Sequence, residues 1–420
     1  MVKKGYKQTE VGIIPNTWQV ISLQNLCVQN GIVRGPFGGA LKKEIFVAEG
    51  YKVYEQGNAI YKTVTRGSYY IDAAKYNKML RFSVQEGDFI VSCSGTIGMI
   101  FQIPINAPKG IINQALLKLT INDAVVNPQY FYLYFSCDSF TRRIVDDTQG
   151  GAMKNLVGMD VFRNTPFPIP PMPEQKNISI VLAAITDLIT NLEAIIAKKK
   201  AIKQGTMQEL LTGKKRLPGF SGDWIKSNIG SCIIEKPSYG INAPAVDFNG
   251  FLPRYIRITD ISEDGRYCKD AQASVSAENV EPFLLKTNDI VLARTGASVG
   301  KSYIYDEHDG RLVYAGFLIK MSIDPQKADS RFIFSVFHTY DYWKWVAQTS
   351  MRSGQPGING EEYASYEFRM PSDLKEQKAI ADILTNMDNE IVTLGKKLIK
   401  YRQVKQGMMQ QLLTGKIRLV

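Results

Sequence analysis

Two stretches of the chain carry apolar residues on one narrow helical stripe. Ile178, Leu182, Ile185, Ile189, Leu192 and Ile196 step 4-3-4-3-4, and Ile380, Leu384, Met387, Ile391, Leu394 and Leu398 repeat that step. A stripe with this heptad period predicts two long helices that pair with each other. The plainer alternative is that each helix packs on its own globular region. Pro170, Pro171 and Pro173 bar an earlier helical start in the first stretch, and Ser372 or Asp373 offers a cap for the second. A Gly in each LTGK segment, Gly213 and Gly415, suits a left-handed residue at the helix end. An uninterrupted helix from Glu174 to Gln204 would span about 46 Å.

The two stretches are copies. Residues 174–217 and 376–419 align without a gap at an offset of 202, with 20 of 44 positions identical, including KQG-x-MQ-x-LLTGK-x-RL. The copying extends upstream in weaker form. GDFIVSCSGTIG (87–98) matches NDIVLARTGASVG (288–300), IINQALLKL (111–119) matches VYAGFLIKM (313–321), and QGGAMKN (149–155) stands where SGQPGIN (353–359) stands. Trp18 has its counterpart in Trp224. The chain is thus expected to be α+β and pseudo-two-fold, with two globular regions separated by two long antiparallel coiled-coil helices. Its parts are 1–170, a first helix segment 171–217, 218–372, and a second helix segment 373–420. Such an arrangement is almost circular, with the two termini close together.

Strand-like runs occur at 88–93, 289–294 and 254–261. Alignment of the copies sets Gln56 opposite Arg257 and Asn58 opposite Thr259, each pair expected on one strand face. Gln and Asn suit an adenine edge, and Arg suits guanine. Loops rich in Gly, Ser, Thr, Asn and Gln add Ser94, Thr96, Thr295, Gln355, Asn155 and Asn359 as candidate contacts. The basic candidates for phosphates are Arg34, Lys42, Lys43, Lys62, Lys154, Arg254, Arg294 and Arg352, interleaved with aromatics such as Tyr239. For any single residue, an ordinary surface role is as good a reading as contact.

Charge sharpens this. The 420 residues carry 51 Lys+Arg against 40 Asp+Glu, a net +11, which suits a polyanionic partner. The five cysteines are too scattered for a zinc knuckle or a CxxC pair and read as reduced thiols, and with two histidines no metal site is expected. The opening MVKKGYKQTE lacks the apolar core of a signal peptide, and the apolar stretch at 177–197 carries Asp187 and Glu193. A cytoplasmic protein with no membrane contact is expected. Two catalytic look-alikes fail. Gly35-Pro36-Phe37-Gly38-Gly39 lacks the βαβ context of a cofactor loop, and Asn164-Thr165-Pro166-Phe167 has the wrong second residue for an adenine-methylating tetrad. No catalytic residue is expected.

The duplicated EQK…KQG-x-MQ-x-LLTGK-x-RL helices, the GDFIVSCSGTIG-type strand and loop, SGQPGIN before the second helix and the opening YKQTEVGIIPNTW resemble the specificity (S) subunit of type I restriction–modification systems. The resemblance covers nearly the whole chain, in the order target recognition domain, spacer helix, target recognition domain, spacer helix. QGGAMKN departs from the pattern, which leaves Gln149 and Asn155 less secure than Gln355 and Asn359. The resemblance implies a non-catalytic DNA-recognition subunit that reads a bipartite asymmetric target in double-stranded DNA. Its implied partners are two modification (M) subunits, which use S-adenosylmethionine to methylate adenine N6, and restriction (R) subunits, which use ATP and Mg. The rival reading is a non-catalytic coiled-coil adaptor with non-specific DNA binding.

Overall fold

The computed structural model describes residues 2–146, 155–270, 272–351 and 354–420. The chain forms two compact units, 1–191 with 398–420 and 192–397.

In the first unit, strands Cys27–Arg34, Leu116–Ile121, Phe89–Ser92 and Ile100–Gln102 lie side by side in that order, all antiparallel. A second sheet runs Tyr70–Ile71, Tyr51–Tyr54, Gly110–Ile112, Ser83–Val84, with Gly110–Ile112 parallel to Tyr51–Tyr54. The second unit repeats the plan. One sheet orders Ser238–Tyr239, Leu318–Ser322, Asp289–Ala293 and Ser302–Ile304. The other orders Ala245–Asp247, Ala273–Val275, Arg254–Ile256 and Leu312–Tyr314, and again one pair, Arg254–Ile256 with Leu312–Tyr314, is parallel. Phe89–Ser92 and Asp289–Ala293 are buried throughout, as fits apolar runs covered on both faces.

The long helices run Met172–Leu210 and Leu374–Leu412, 39 residues each. Pro173 falls in the first turn of the first, where its missing N–H costs nothing. Asp373 takes the cap of the second, its Oδ1 accepting from Lys375 N at 2.8 Å. Gly213 and Gly415 both follow at φ +70°. A Cβ on Gly213 would press within 3.0 Å of the Trp224 ring, and one on Gly415 would strike Pro15, so the left-handed turn also admits the tryptophan corner.

Within each unit the start of one long helix meets the end of the other. In the first, Arg418 Nε and a terminal nitrogen donate to the two Glu174 oxygens at 2.6 and 2.8 Å, and Trp18 Nε1 donates to Glu174 at 3.0 Å. In the second, Arg216 grips Glu376 through two bonds of 2.7 Å, and Lys203–Asp388 and Lys199–Glu390 continue the contact at 2.6 and 2.8 Å. In the second unit residue numbers rise on one helix as they fall on the other, so that contact is antiparallel. The Glu of EQK and the Arg of LLTGK-x-RL are therefore partners. The Gln of EQK serves the globular part. Gln175 Oε1 accepts from Asn127 N at 2.8 Å, and Gln377 Oε1 accepts from Asp329 N at 3.0 Å, so each holds the cap of a domain helix.

All twelve stripe residues are buried or half-buried, but the stripe is not purely a mutual seam. Ile178 and Leu182 belong to one core with Phe89, Phe167, Leu412 and Leu413, and Ile380 and Leu384 to another with Ile290, Phe332, Met207 and Leu210. The first turns of each helix thus pack on their own globular unit as well as on the other helix, because a domain with two thin sheets needs a helix to complete its core. Tyr6 donates from its hydroxyl to Gly415 O at 3.0 Å, which brings the N-terminal hairpin of Tyr6–Thr9 and Gly12–Pro15 onto the C-terminal turn, as the repeat predicts.

Candidate nucleic-acid interface

In the second unit the sheet register gathers one polar cluster. Tyr239 ends its strand opposite Ile319, and Gly240 N donates to Leu318 O at 3.2 Å. Arg294 follows the strand Asp289–Ala293; its N donates to Phe317 O at 3.0 Å and its carbonyl accepts from Ile358 N at 2.9 Å. The 354–359 segment joins this edge. Thr295 bridges Gly357, and Gly296 N donates to Pro356 O at 3.0 Å. Gln355 lies over Gly296, whose added Cβ would fall 3.0 Å from the Gln355 amide nitrogen. The Arg294 guanidinium stands 4.9 Å from the Tyr239 ring centre. Tyr239 OH in turn accepts from Gly360 N at 3.1 Å. Tyr239, Arg294, Thr295, Gln355 and Asn359 are thus brought together. Asn359 is committed within the cluster, since it caps the helix Gly360–Ala364 in a reciprocal box with Glu362.

The cluster rests on buried tyrosines that the sequence did not single out. Tyr363 accepts from Gly300 N at 3.0 Å and donates to Ala293 O at 2.7 Å, and Tyr342 donates to Gly300 O at 2.8 Å, so both ends of the 294–299 turn are tied down. Burial pushes both phenols well above their usual range.

The first unit presents the matching face. Arg34 ends its strand opposite Leu117, and Gly35 N donates to Leu116 O at 2.9 Å. Cys93 N donates to Ala115 O at 2.9 Å, and the exposed Ser94 and Thr96 follow. Burial lifts the Cys93 thiol to about 11, against the opposing pull of the nearby Arg34 charge. Phe37 stands 79% exposed just past Arg34, and Phe317 stands 57% exposed beside Arg294. Both were missed in the sequence; an aromatic set among glycines, GPFGG and AGF, was the available signal. Lys154 and Arg352 lie outside the described residues, as does Gln149. Asn155 opens the short strand Asn155–Leu156. An open cleft of about 1000 Å³ in the same unit is lined by Gln29, Asn30, Arg81, Lys118 and Arg163, but Lys118 and Arg163 are already paired with Asp88 and Asp160.

A scan of family models matches the type I restriction modification DNA specificity domain twice, over residues 15–204 and 223–401. The chain belongs to this family. Two similar relatives from Methanocaldococcus jannaschii agree. The type I restriction enzyme MjaVIII specificity subunit is 26% identical over 356 residues, covering 80% of both chains, and the putative MjaX specificity subunit is 22% identical over 445 residues, covering 99% of this chain and 97% of its own. Among solved structures, the S subunit from M. genitalium superposes with TM-score 0.58 at 13% identity over 94% of this chain and 96% of its own. The HsdS subunit from Thermoanaerobacter tengcongensis gives 0.50 at 14% over 99% and 100%. As a type I specificity chain, the molecule serves DNA sequence recognition in a restriction–modification system.

Several expected contacts of this specificity chain need correction. The 54–58 and 255–259 segments are not strand faces. The strand stops at Tyr54, Gln56–Tyr61 is helical, and Ile258–Asp260 is a 3-10 turn. Asn58 is wholly buried. Its Oδ1 accepts from Glu55 N, and its amide donates to Thr63 O and Arg66 O at 2.9 and 2.8 Å, so it builds a turn and has no bond left for a base. Gln56 Oε1 is buried with no partner among the described residues. Arg257 makes two bonds of 2.8 Å with the buried Asp260, which leaves Thr259 alone exposed there. Both strands end because a polar residue three positions on caps the next turn. Arg254 donates to the Asp309 carbonyl and lies 5.5 Å from the Phe248 ring, on the other sheet. Lys62 donates to the Tyr132 hydroxyl at φ +51°, while Lys42 and Lys43 are exposed.

Proposed function

We propose that the chain reads a bipartite, asymmetric target in double-stranded DNA, one half per unit, across an unread spacer, and positions two modification subunits for methylation of adenine N6. The observation that carries this reading is a single topology bearing different side chains at the same sheet edge: Tyr239, Arg294 and Thr295 in one unit, and Arg34 and Ser94 in the other, where the position of Arg294 is taken by the core residue Cys93. One shape with two chemistries suits two unlike half-sites. The paired helices would form a pseudo-two-fold ruler. Thirty-nine residues give about 58 Å of helix, enough for half-sites one DNA turn, about 34–36 Å, apart.

On the first long helix Ile180 and Leu188, and further along Ile195 and Ile202, are exposed at seven- or eight-residue spacing. The helix is long and apolar enough to cross a membrane by length and composition, but its ends are committed to buried ion pairs and globular cores. A helical face of a modification subunit is the occupant we favour. The chain itself would be non-catalytic, with S-adenosylmethionine on the modification subunit and ATP and Mg on a restriction subunit, all in the cytoplasm. The test is to map methylated adenines genome-wide in a host carrying this chain with its modification subunit. Methylation at one two-part motif is expected; methylation without a motif, or at a continuous motif, overturns the reading.

A further inference from the structure

We infer that each unit reads a guanine through one arginine, Arg34 in the first and Arg294 in the second, and that the two arginines reach the same part of the face from different strands. The inference deepens the reading of one half-site per unit and rests on it.

The sheet registers establish the equivalence. Leu116 stands opposite Ser92, and Leu318 opposite Ala293, so these strand pairs superpose in plan. One residue further, Leu117 faces Arg34 and Ile319 faces Tyr239. Across the sheet, Cys93 and Arg294 make the same backbone bond to the residue before that strand, Ala115 or Phe317. Two positions therefore recur. The edge-strand position holds Arg34 in one unit and Tyr239 in the other; the inner position holds Cys93 and Arg294.

In the second unit the two positions touch; in the first, the charge at one is felt by the thiol at the other. The Arg34 charge acts on the Cys93 thiol, and the Arg294 guanidinium lies 4.9 Å from the Tyr239 ring. The cation has changed strands while the pair has kept its place. An exposed phenyl ring moves with it. Phe37 leaves the edge strand three residues after Arg34, whereas Phe317 supplies the carbonyl that accepts from Arg294 N. The corresponding residues, Asn242 and Ala115, are not aromatic.

A phosphate gains nothing from an exposed phenyl ring, but a base edge and a thymine methyl do. The planar guanidinium matches guanine O6 and N7 with two parallel bonds, which an ammonium cannot copy. Arg294 is set in advance by its ring, and Arg34 carries a buried Nε with no acceptor among the described residues, a donor still open to a ligand.

The test uses the full chain purified with its modification subunit, selection from a randomised duplex library, and sequencing of the bound DNA. R34K and R34A should each erase one guanine from one half of the consensus, and R294K and R294A one guanine from the other half, with roughly ten-fold lost discrimination at that position. F37A and F317A sit on exposed turns and should alter the base next to that guanine in the same halves; they report on the inference if an Arg34 variant unfolds. The inference is overturned if the lysine variants keep the wild-type consensus and only binding strength and its salt dependence change. The half-site reading fails separately if wild type selects no two-part consensus, or if variants of both units degrade the same half.

Discussion

Glu174 is 2% exposed, with Arg418 on one side and the Trp18 indole on the other. Removing Arg418 leaves a carboxylate buried without its counter-charge, which costs far more than losing an exposed ion pair. R418A should therefore lower stability by about 3 kcal/mol, and the double variant R418A/E174Q should recover part of that, because Gln keeps an acceptor for Trp18 and buries no charge. Urea unfolding followed by tryptophan fluorescence measures both. His338 gives a second handle. Its ring meets Phe334 edge-on, with centroids 4.5 Å apart, and burial holds its pKa below the usual 6.5 even though Phe334 O accepts from the ring. The unfolded chain then binds more protons than the folded one just below pH 6.5. The His338 contribution is complete above that pH and is lost as pH falls through the window beneath it. H338F should flatten the fall in urea midpoint between pH 7 and pH 5.5. At this scale the sequence read types better than contexts. Asn58 and Arg257 have base-reading chemistry, yet each is spent on a local turn, and a cap three residues away looks the same in sequence as a free donor.

The long helices were legible because their period, prolines and terminal glycines agree, and consistency between levels is what makes an element readable. What the stripe could not tell was its partner. Apolar residues at 178 and 182 look alike whether they face a helix or a sheet, and here they do both. The 254–261 run is strand-like in composition, but Asp260 folds back on Arg257 and ends the strand after Ile256. The candidate interface was half legible. Arg294, Thr295 and Gln355 were visible through the repeat, whereas Phe37, Phe317 and the anchoring Tyr363 were not, since nothing local marks a ring as exposed or buried. If the helices set the spacing, as proposed, four residues inserted at matched points of both lengthen them by about 6 Å, nearly two base pairs. The methylated motif should gain that much spacer; an unchanged spacer would remove the ruler.

The duplicated plan makes the order of the parts along the chain a matter of where it is cut. The Tyr6–Gly415 bond and the Arg418–Glu174 pair close the first unit from residues of both chain ends. A permutant with its original termini joined by a short linker, opened at the exposed Pro218–Gly219, should keep the wild-type melting temperature and modify the same motif. A large drop in melting temperature would show that the covalent link at 218–219 matters more than the noncovalent closure.

The two closures are built from the same letters: a Glu and Gln that begin one long helix, a Gly and Arg that end the other, and a Trp that packs on the Gly. None of those residues belongs to the faces that differ between units. If each unit reads one half-site, as proposed, a genetic crossover inside either 44-residue repeat would yield a chain whose joints still fit while one inherited half dictates a new address. Novel specificities could arise in one step, without any ancestor passing through a misfolded form.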